Sequence, residues 1–307
     1  MQYLVSLYEE GTVTRAAKRL NVVQPAISMQ LSKLEEEFGQ HLFSRTPKGM
    51  IPTPAGHEAY RRFLPILRDL ADARQQLAAM RGEIVGHISL GVIASVSNNA
   101  LSECIASFHE KHPRVTVHAT GGYTISLMEM VRSGELDLAV INRPGGRMRL
   151  TSVEIVSEEL FLICAARTHL PRQGAFSIED ISKMNLIMPS RRHGLRTIID
   201  DVANEAGLRL TPSMEFDELQ AIEDFISMTD FVTILPPITV HRALKAGLLK
   251  NHPIRPTVTR RIVCVHNPQR PVTQAAKLLI AEFQGRMQAA LDSSLTSTIE
   301  RATTDVS

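Results

Sequence analysis

The sequence predicts an α+β multidomain chain with a small N-terminal helical domain carrying a two-stranded wing, a long linker helix, and a C-terminal α/β domain. Three observations carry this. Three short apolar stripes at helical spacing precede two apolar stretches flanking Pro47, Lys48 and Gly49. Between His57 and Met80, apolar residues then step by three and four for nearly three heptads. After Gly82 and Gly86, apolar runs alternate with amphipathic segments in a strand–helix–strand rhythm. At 307 residues, the chain has room for about two domains of roughly 150 residues.

The first helix is expected from Gln2 to Tyr8, ended by Gly11. Thr12 suits the N-cap of a second helix, Val13 to Leu20, whose Val13, Ala16, Ala17 and Leu20 share a face. After a tight turn at Asn21–Val23, a third helix begins near Gln24-Pro25. There the missing proline N–H costs nothing, and Ala26, Ile27, Leu31 and Leu34 form the stripe. Glu35, Glu36 and Glu37 are expected to end it on the solvent side. Helix, helix, turn, helix and wing together make a winged helix-turn-helix over residues 1–56.

The linker helix, residues 57–84, carries Phe63, Ile66, Leu70, Ala73, Leu77 and Met80 on one narrow seam. The flanking Arg61, Arg62, Arg68 and Arg74 favour pairing with a second copy over packing against its own domain. Residues 85–291 supply strands in ISLGVI, RVTVHAT, LDLAVI, LFLICAA, NLIMPS, FVTILP and RRIVCVH. Helices are expected at Leu101–His109, Ile125–Val131, Leu195–Ala206, Leu219–Ile226 and Gln274–Leu291, covering a parallel sheet. Residues 292–307 lack an apolar period and read as a disordered tail.

Composition narrows the function classes. Hydrophobic content of 44% with 21% charge is that of a soluble globular protein, and no apolar run approaches the roughly 18 residues a membrane span needs. The N-terminus lacks signal-peptide features, so a cytoplasmic location without membrane attachment is expected. Cys104, Cys164 and Cys264 match no metal or redox spacing, and two of them sit in apolar runs where inert thiols are expected. No nucleophile elbow, P-loop, HExxH or glycine-rich nucleotide fingerprint occurs, and the histidines lack ligand spacing. Neither catalysis nor a cofactor or metal is therefore expected. Net charge is +2, and the first sixty residues are nearly neutral, so nucleic-acid affinity must come from placed rather than bulk charge.

From Gly11 to Gly56 the chain resembles the DNA-binding domain of LysR-type transcriptional regulators. The resemblance rests on Ala16, Ala17, Leu20, Gln24, Pro25, Ala26, Ser28, Leu31, Leu34, Glu35, Leu42, Phe43, Arg45, Thr53, Ala55 and Gly56. The long helix and the two α/β sets also match that family's linker and effector-binding domain. In physical terms, Gln24, Pro25, Ser28, Met29 and Ser32 occupy the outer face and start of the third helix, where base edges in a major groove are within reach. Thr12, Thr14 and Arg15 stand ready for phosphates, and Arg45 and Lys48 charge the wing. Taken singly, Ser28 and Ser32 could equally be solvated positions and Arg45 a salt-bridge residue. Two departures stand out. Val23 removes a side-chain cap, at roughly 1 kcal/mol, and Met29 replaces a longer polar residue.

The resemblance further implies a periplasmic-binding-protein-like domain of two α/β lobes with a small-molecule effector between them. Beyond the carboxyl ends of the strands lie Ser95, Ser97 and Asn142, and then Ser190, Arg191 and Arg192 at a helix N-terminus. Hydroxyls and guanidinium groups there point to an anionic effector; a solvated basic loop is the competing reading for Arg191 and Arg192. Thr229, Asp230 and Phe231 replace glycines frequent in the family. The partners implied are double-stranded promoter DNA at a T-N11-A inverted repeat, a homo-oligomer (dimer or tetramer) built through the linker helix, and RNA polymerase.

Overall fold

The computed structural model describes residues 1–47, 49–81, 83–96 and 100–304, which form two compact units. The first unit contains α1 (Gln2–Glu10), α2 (Val13–Arg19), α3 (Gln24–Phe38), β1 (Phe43–Thr46), β2 (Gly49–Pro52) and α4 (Pro54–Ala79). Gly11 ends α1 in the left-handed region at φ 67°, and Thr12 caps α2 by accepting the Arg15 N–H at 3.3 Å. Val23 caps α3 with no side chain, as its sequence requires. Leu4, Leu7, Ala16, Ile27, Leu42, Phe43 and Leu64 close over one another as the core.

Two glycines are dictated by close approach. A Cβ on Gly56 would stand 2.0 Å from the Leu42 carbonyl oxygen, and one on Gly49 would stand 2.5 Å from that of Gly11. The second contact lies where the wing docks on the α1–α2 turn, with the Met50 N–H bonded to the Gly11 carbonyl. Glu35 corrects the expectation of an acidic run facing solvent. Its carboxylate turns inward to accept the N–H groups of Leu42 at 2.7 Å and Phe43 at 3.3 Å, fixing the start of the wing. Tyr60 of α4 stacks on Tyr8 of α1 at 3.8 Å, and Leu64 enters the core. Beyond that point Ile66, Leu70, Ala73, Leu77 and Met80 are exposed in sequence-periodic order along α4, whereas Phe63, expected on the same stripe, is half-buried against Phe38.

The second unit runs through β3 (Gly86–Val92), α5 (Ala94–Val96), α6 (Ser102–Lys111), β4 (Val115–Gly121), α7 (Thr124–Ser133), β5 (Leu138–Asn142) and β6 (Thr151–Glu159). It continues with β7 (Phe161–Ala165), α8 (Ile178–Ser182), β8 (Ile187–Met188), α9 (Gly194–Glu205), β9 (Met214–Glu215), α10 (Leu219–Met228), β10 (Val232–Leu235), α11 (His241–Lys245), β11 (Leu249–Pro253), β12 (Thr259–His266) and α12 (Gln274–Thr304). Lobe I holds a five-stranded sheet in the order β4-β3-β5-β12-β6, and lobe II a three-stranded sheet β10-β7-β11 beside the pair β8-β9.

Neither sheet is wholly parallel. Strand β3 runs parallel to β4 and β5, but β12 is antiparallel to β5 and β6, and both neighbours of β7 are antiparallel to it. The reason is the chain path. It leaves lobe I after β6 and returns into β12 from the opposite direction, and the Leu160 N–H bonds the Val258 carbonyl where the two crossings run side by side. Strand β6 escaped the sequence reading because it is an edge strand with much of its surface in water, so its apolar run is broken. The stretch from residue 292 expected to be structureless continues α12 as far as Thr304. It contains no glycine or proline, and extending an existing helix needs no new nucleus.

Candidate nucleic-acid interface and interlobe cleft

Buried Ile27 and Leu31 fix the rotation of α3, so Gln24, Pro25, Ser28, Met29 and Ser32 all emerge exposed on its other side. Thr14 and Arg45 are also exposed, Arg45 on β1 opposite Met50. Thr12 and Arg15 have structural work: Thr12 is the α2 cap, and the Arg15 Nε donates to the Glu10 carbonyl at 2.8 Å, closing the end of α1. The Arg15 side chain nevertheless keeps 65% of its surface in solvent. Lys48 lies outside the described residues.

A cleft of about 270 Å³ lies between the lobes. From lobe I come Tyr123, the first residues of α7 and the segment Asn142–Gly145; from lobe II come Arg191, Arg192 and the Gly194, Thr197, Ile198 and Asp201 face of α9. Of the expected effector residues, Asn142, Arg191 and Arg192 line it. Ser95 does not. It is buried and its Oγ accepts from Arg260 at 2.9 Å, because the chain turns inward at α5. Ser190 sits beside the cleft, its N–H donating to Asp217 at 3.3 Å, and Ser97 lies outside the described residues.

Arg260, which sequence reading missed, organises the floor. Its side chain is wholly buried at the start of β12, where Nε and Nη2 donate to Glu158 at 3.0 and 2.7 Å across the β12–β6 ladder. Nη1 reaches Ser95 and, at 3.4 Å, the Asn142 Oδ1. That contact fixes which way the Asn142 amide faces: its oxygen is taken and its Nδ2 has no partner among the described residues. The Thr124 Oγ1 at the start of α7 is buried and equally unpartnered. Both atoms crowd Gly194 of the opposite lobe, where a Cβ would stand 2.7 Å from Thr124 Oγ1 and 3.2 Å from Asn142 Nδ2. Glycine at 194 was the sequence signal for this approach, legible only with the tertiary contact known.

Around this floor the charges are arranged in pairs. Arg192 donates to Asp217 at 2.8 Å and lies over the Tyr123 ring, whose hydroxyl donates to the same carboxylate at 2.9 Å across the lobes. Hydrogen bonds from Ser190 and Tyr123, with the Arg192 charge, hold the Asp217 carboxyl below its ordinary range. Arg191 stays 3.9 Å from Asp200. Burial, reinforced by the nearby Arg260 cation, pushes the His193 imidazole down to about 4, so this side chain at the N-cap of α9 is neutral at physiological pH. The three cysteines are buried, and burial pushes their thiols up to about 12, 11 and 12 for Cys104, Cys164 and Cys264. Thiols so protonated are poor nucleophiles.

Among the described residues no cluster of histidine, cysteine or carboxylate side chains could hold a metal ion, and no helix is long and apolar enough to cross a membrane.

Comparison with known proteins agrees with both halves of this arrangement. Residues 1–57 match the family model for bacterial regulatory helix-turn-helix proteins of the lysR family, and residues 81–288 match the LysR substrate binding domain. The HTH-type transcriptional regulator CzcR of Bacillus subtilis is 28% identical over 255 residues, covering 83% of this chain and 85% of that protein. YybE, an HTH-type regulator of the same organism, is 24% identical over 78% of this chain and 82% of its own length. Among solved structures, full-length OxyR from Pseudomonas aeruginosa superposes with a TM-score of 0.72 at 19% identity, covering 92% of this chain and 96% of that one. CbnR in complex with its target DNA superposes at 0.62 and 21% identity, covering 95% and 98%. The chain belongs to the LysR family of transcriptional regulators, DNA-binding proteins rather than enzymes, with an effector-binding domain behind a winged helix-turn-helix.

Proposed function

We propose that this regulator reads double-stranded promoter DNA with Gln24, Pro25, Ser28, Met29 and Ser32 of α3, braces the backbone with Thr14, Arg15 and Arg45, and is controlled by a small anionic effector in the interlobe cleft. The observation that carries the effector reading is the pair of buried, unpartnered groups, Asn142 Nδ2 and Thr124 Oγ1, beside the Gly194 end of α9. Both can donate, the helix N-terminus adds N–H groups and positive potential, and Arg191 and Arg192 stand at the rim. Such a set of donors favours an acceptor-only ligand.

The exposed apolar line Ile66, Leu70, Ala73, Leu77 and Met80 supports pairing of α4 with a second copy, giving a dimer or a tetramer. CbnR was captured with its target DNA. By analogy, an inverted repeat of the T-N11-A type would be bound here, with effector-induced lobe movement altering contact with RNA polymerase. A band shift on DNA from upstream of the neighbouring genes tests the reading. Sequence-dependent binding at moderate salt is expected, lost when Gln24, Ser28 and Arg45 are all replaced by alanine. Unchanged binding by that triple variant would refute the docking.

A further inference from the structure

We propose that the occupant of the cleft is a monocarboxylate with an apolar body, and that Asp201 is the residue that excludes a second carboxylate. The inference rests on the anionic-effector reading and narrows it. The donor groups gather at one end, where Asn142 and Thr124 meet Gly194. Arg260 occupies the Asn142 oxygen, so the amide offers only its N–H face to a ligand. From that end, α9 turns Gly194, Thr197, Ile198 and Asp201 toward the cavity at the i, i+3, i+4, i+7 spacing of one helix face.

The chemistry changes along that face. Ile198, with Ile125 and Pro144 from lobe I, lines the cleft with apolar surface. Asp201 follows, seven residues from Gly194 and so roughly 10 Å along the helix. Among the described residues Asp201 has no ion-pair partner: of the lining arginines, Arg192 is held by Asp217, Arg191 stands 3.9 Å from Asp200, and Arg143 bonds the Ser152 hydroxyl. A second carboxylate reaching the Asp201 end of the cleft would therefore meet a like charge to which no cation is paired.

Calorimetry on the full chain with hexanoate, its ω-carboxylate counterpart adipate, and neutral hexanamide tests this. The wild type should bind hexanoate at least roughly tenfold more tightly than adipate, and Asp201→Asn, an exposed substitution that keeps the shape, should bring the two within about threefold. Adipate binding as tightly as hexanoate, or a gap that survives Asp201→Asn, overturns the monocarboxylate inference and leaves the anionic reading standing. Hexanamide binding as well as hexanoate, or no binding of any of the three, overturns both.

Discussion

The outer face of α3 and the floor of the interlobe cleft both present polar atoms without partners among the described residues, at very different cost. Gln24, Ser28 and Ser32 face water, which satisfies them, so the proposed reading face lowers stability hardly at all. Asn142 and Thr124 are buried, and a buried polar group left unpaired costs about 1–3 kcal/mol. The proposed reading face can thus be substituted with little effect on stability, while the cleft floor is bound into the stability of the lobes through Arg260 and Glu158.

The largest effect should come from the floor. Replacing Glu158 by alanine leaves the Arg260 guanidinium buried without its counter-charge. Urea unfolding should report a loss of about 3–5 kcal/mol, against under about 0.5 kcal/mol for Ser28→Ala. Equal effects would erase the contrast between the two regions.

His193 gives a pH signature next in size. Its folded-state value near 4 lies below the ordinary 6.5, so between those limits the unfolded chain binds a proton that the folded chain does not. Stability should therefore fall as pH drops from about 6.5 towards 4, by up to about 3 kcal/mol, and His193→Gln should flatten that slope. A wild-type slope that persists in the variant would place the titration elsewhere.

On the DNA side, Gln24→Ala should weaken operator binding by about 1–3 kcal/mol, with unfolding stability unchanged. Arg45→Ala should instead reduce the salt dependence of binding by about one counterion, as a phosphate contact would. Fluorescence anisotropy across a salt series separates the two. Tyr123→Phe, which removes one hydrogen bond from the half-buried Asp217 carboxylate that Arg192 still pairs, should cost about 1 kcal/mol or less in thermal unfolding.

How legible each region was in the sequence follows the same division. The reading face depends on contacts within one helix, so the 24–32 spacing and the stripe of Ile27 and Leu31 were sufficient to orient it. The cleft floor joins residues distant in the chain: Arg260 bonds Glu158, 102 residues away, and Ser95, 165 away. No local pattern brings these together, and Ser95 was misplaced for that reason. That Asn142, Arg191 and Arg192 line the cleft is legible in the sequence because strand ends and helix starts are local features, whereas Thr124, Gly194 and Asp201 join its lining only when two lobes face each other. Glu35 was misread because an acidic run looks solvated until the N–H groups it captures, seven and eight residues on, are folded beneath it.

The most direct test of this division of labour is footprinting of wild type and Asn142→Leu on the upstream fragment, with and without hexanoate. The same region should be protected by both proteins without the acid, and adding it should change the protection pattern of the wild type alone. Loss of DNA protection in Asn142→Leu, or a response to hexanoate identical to that of the wild type, would contradict the account.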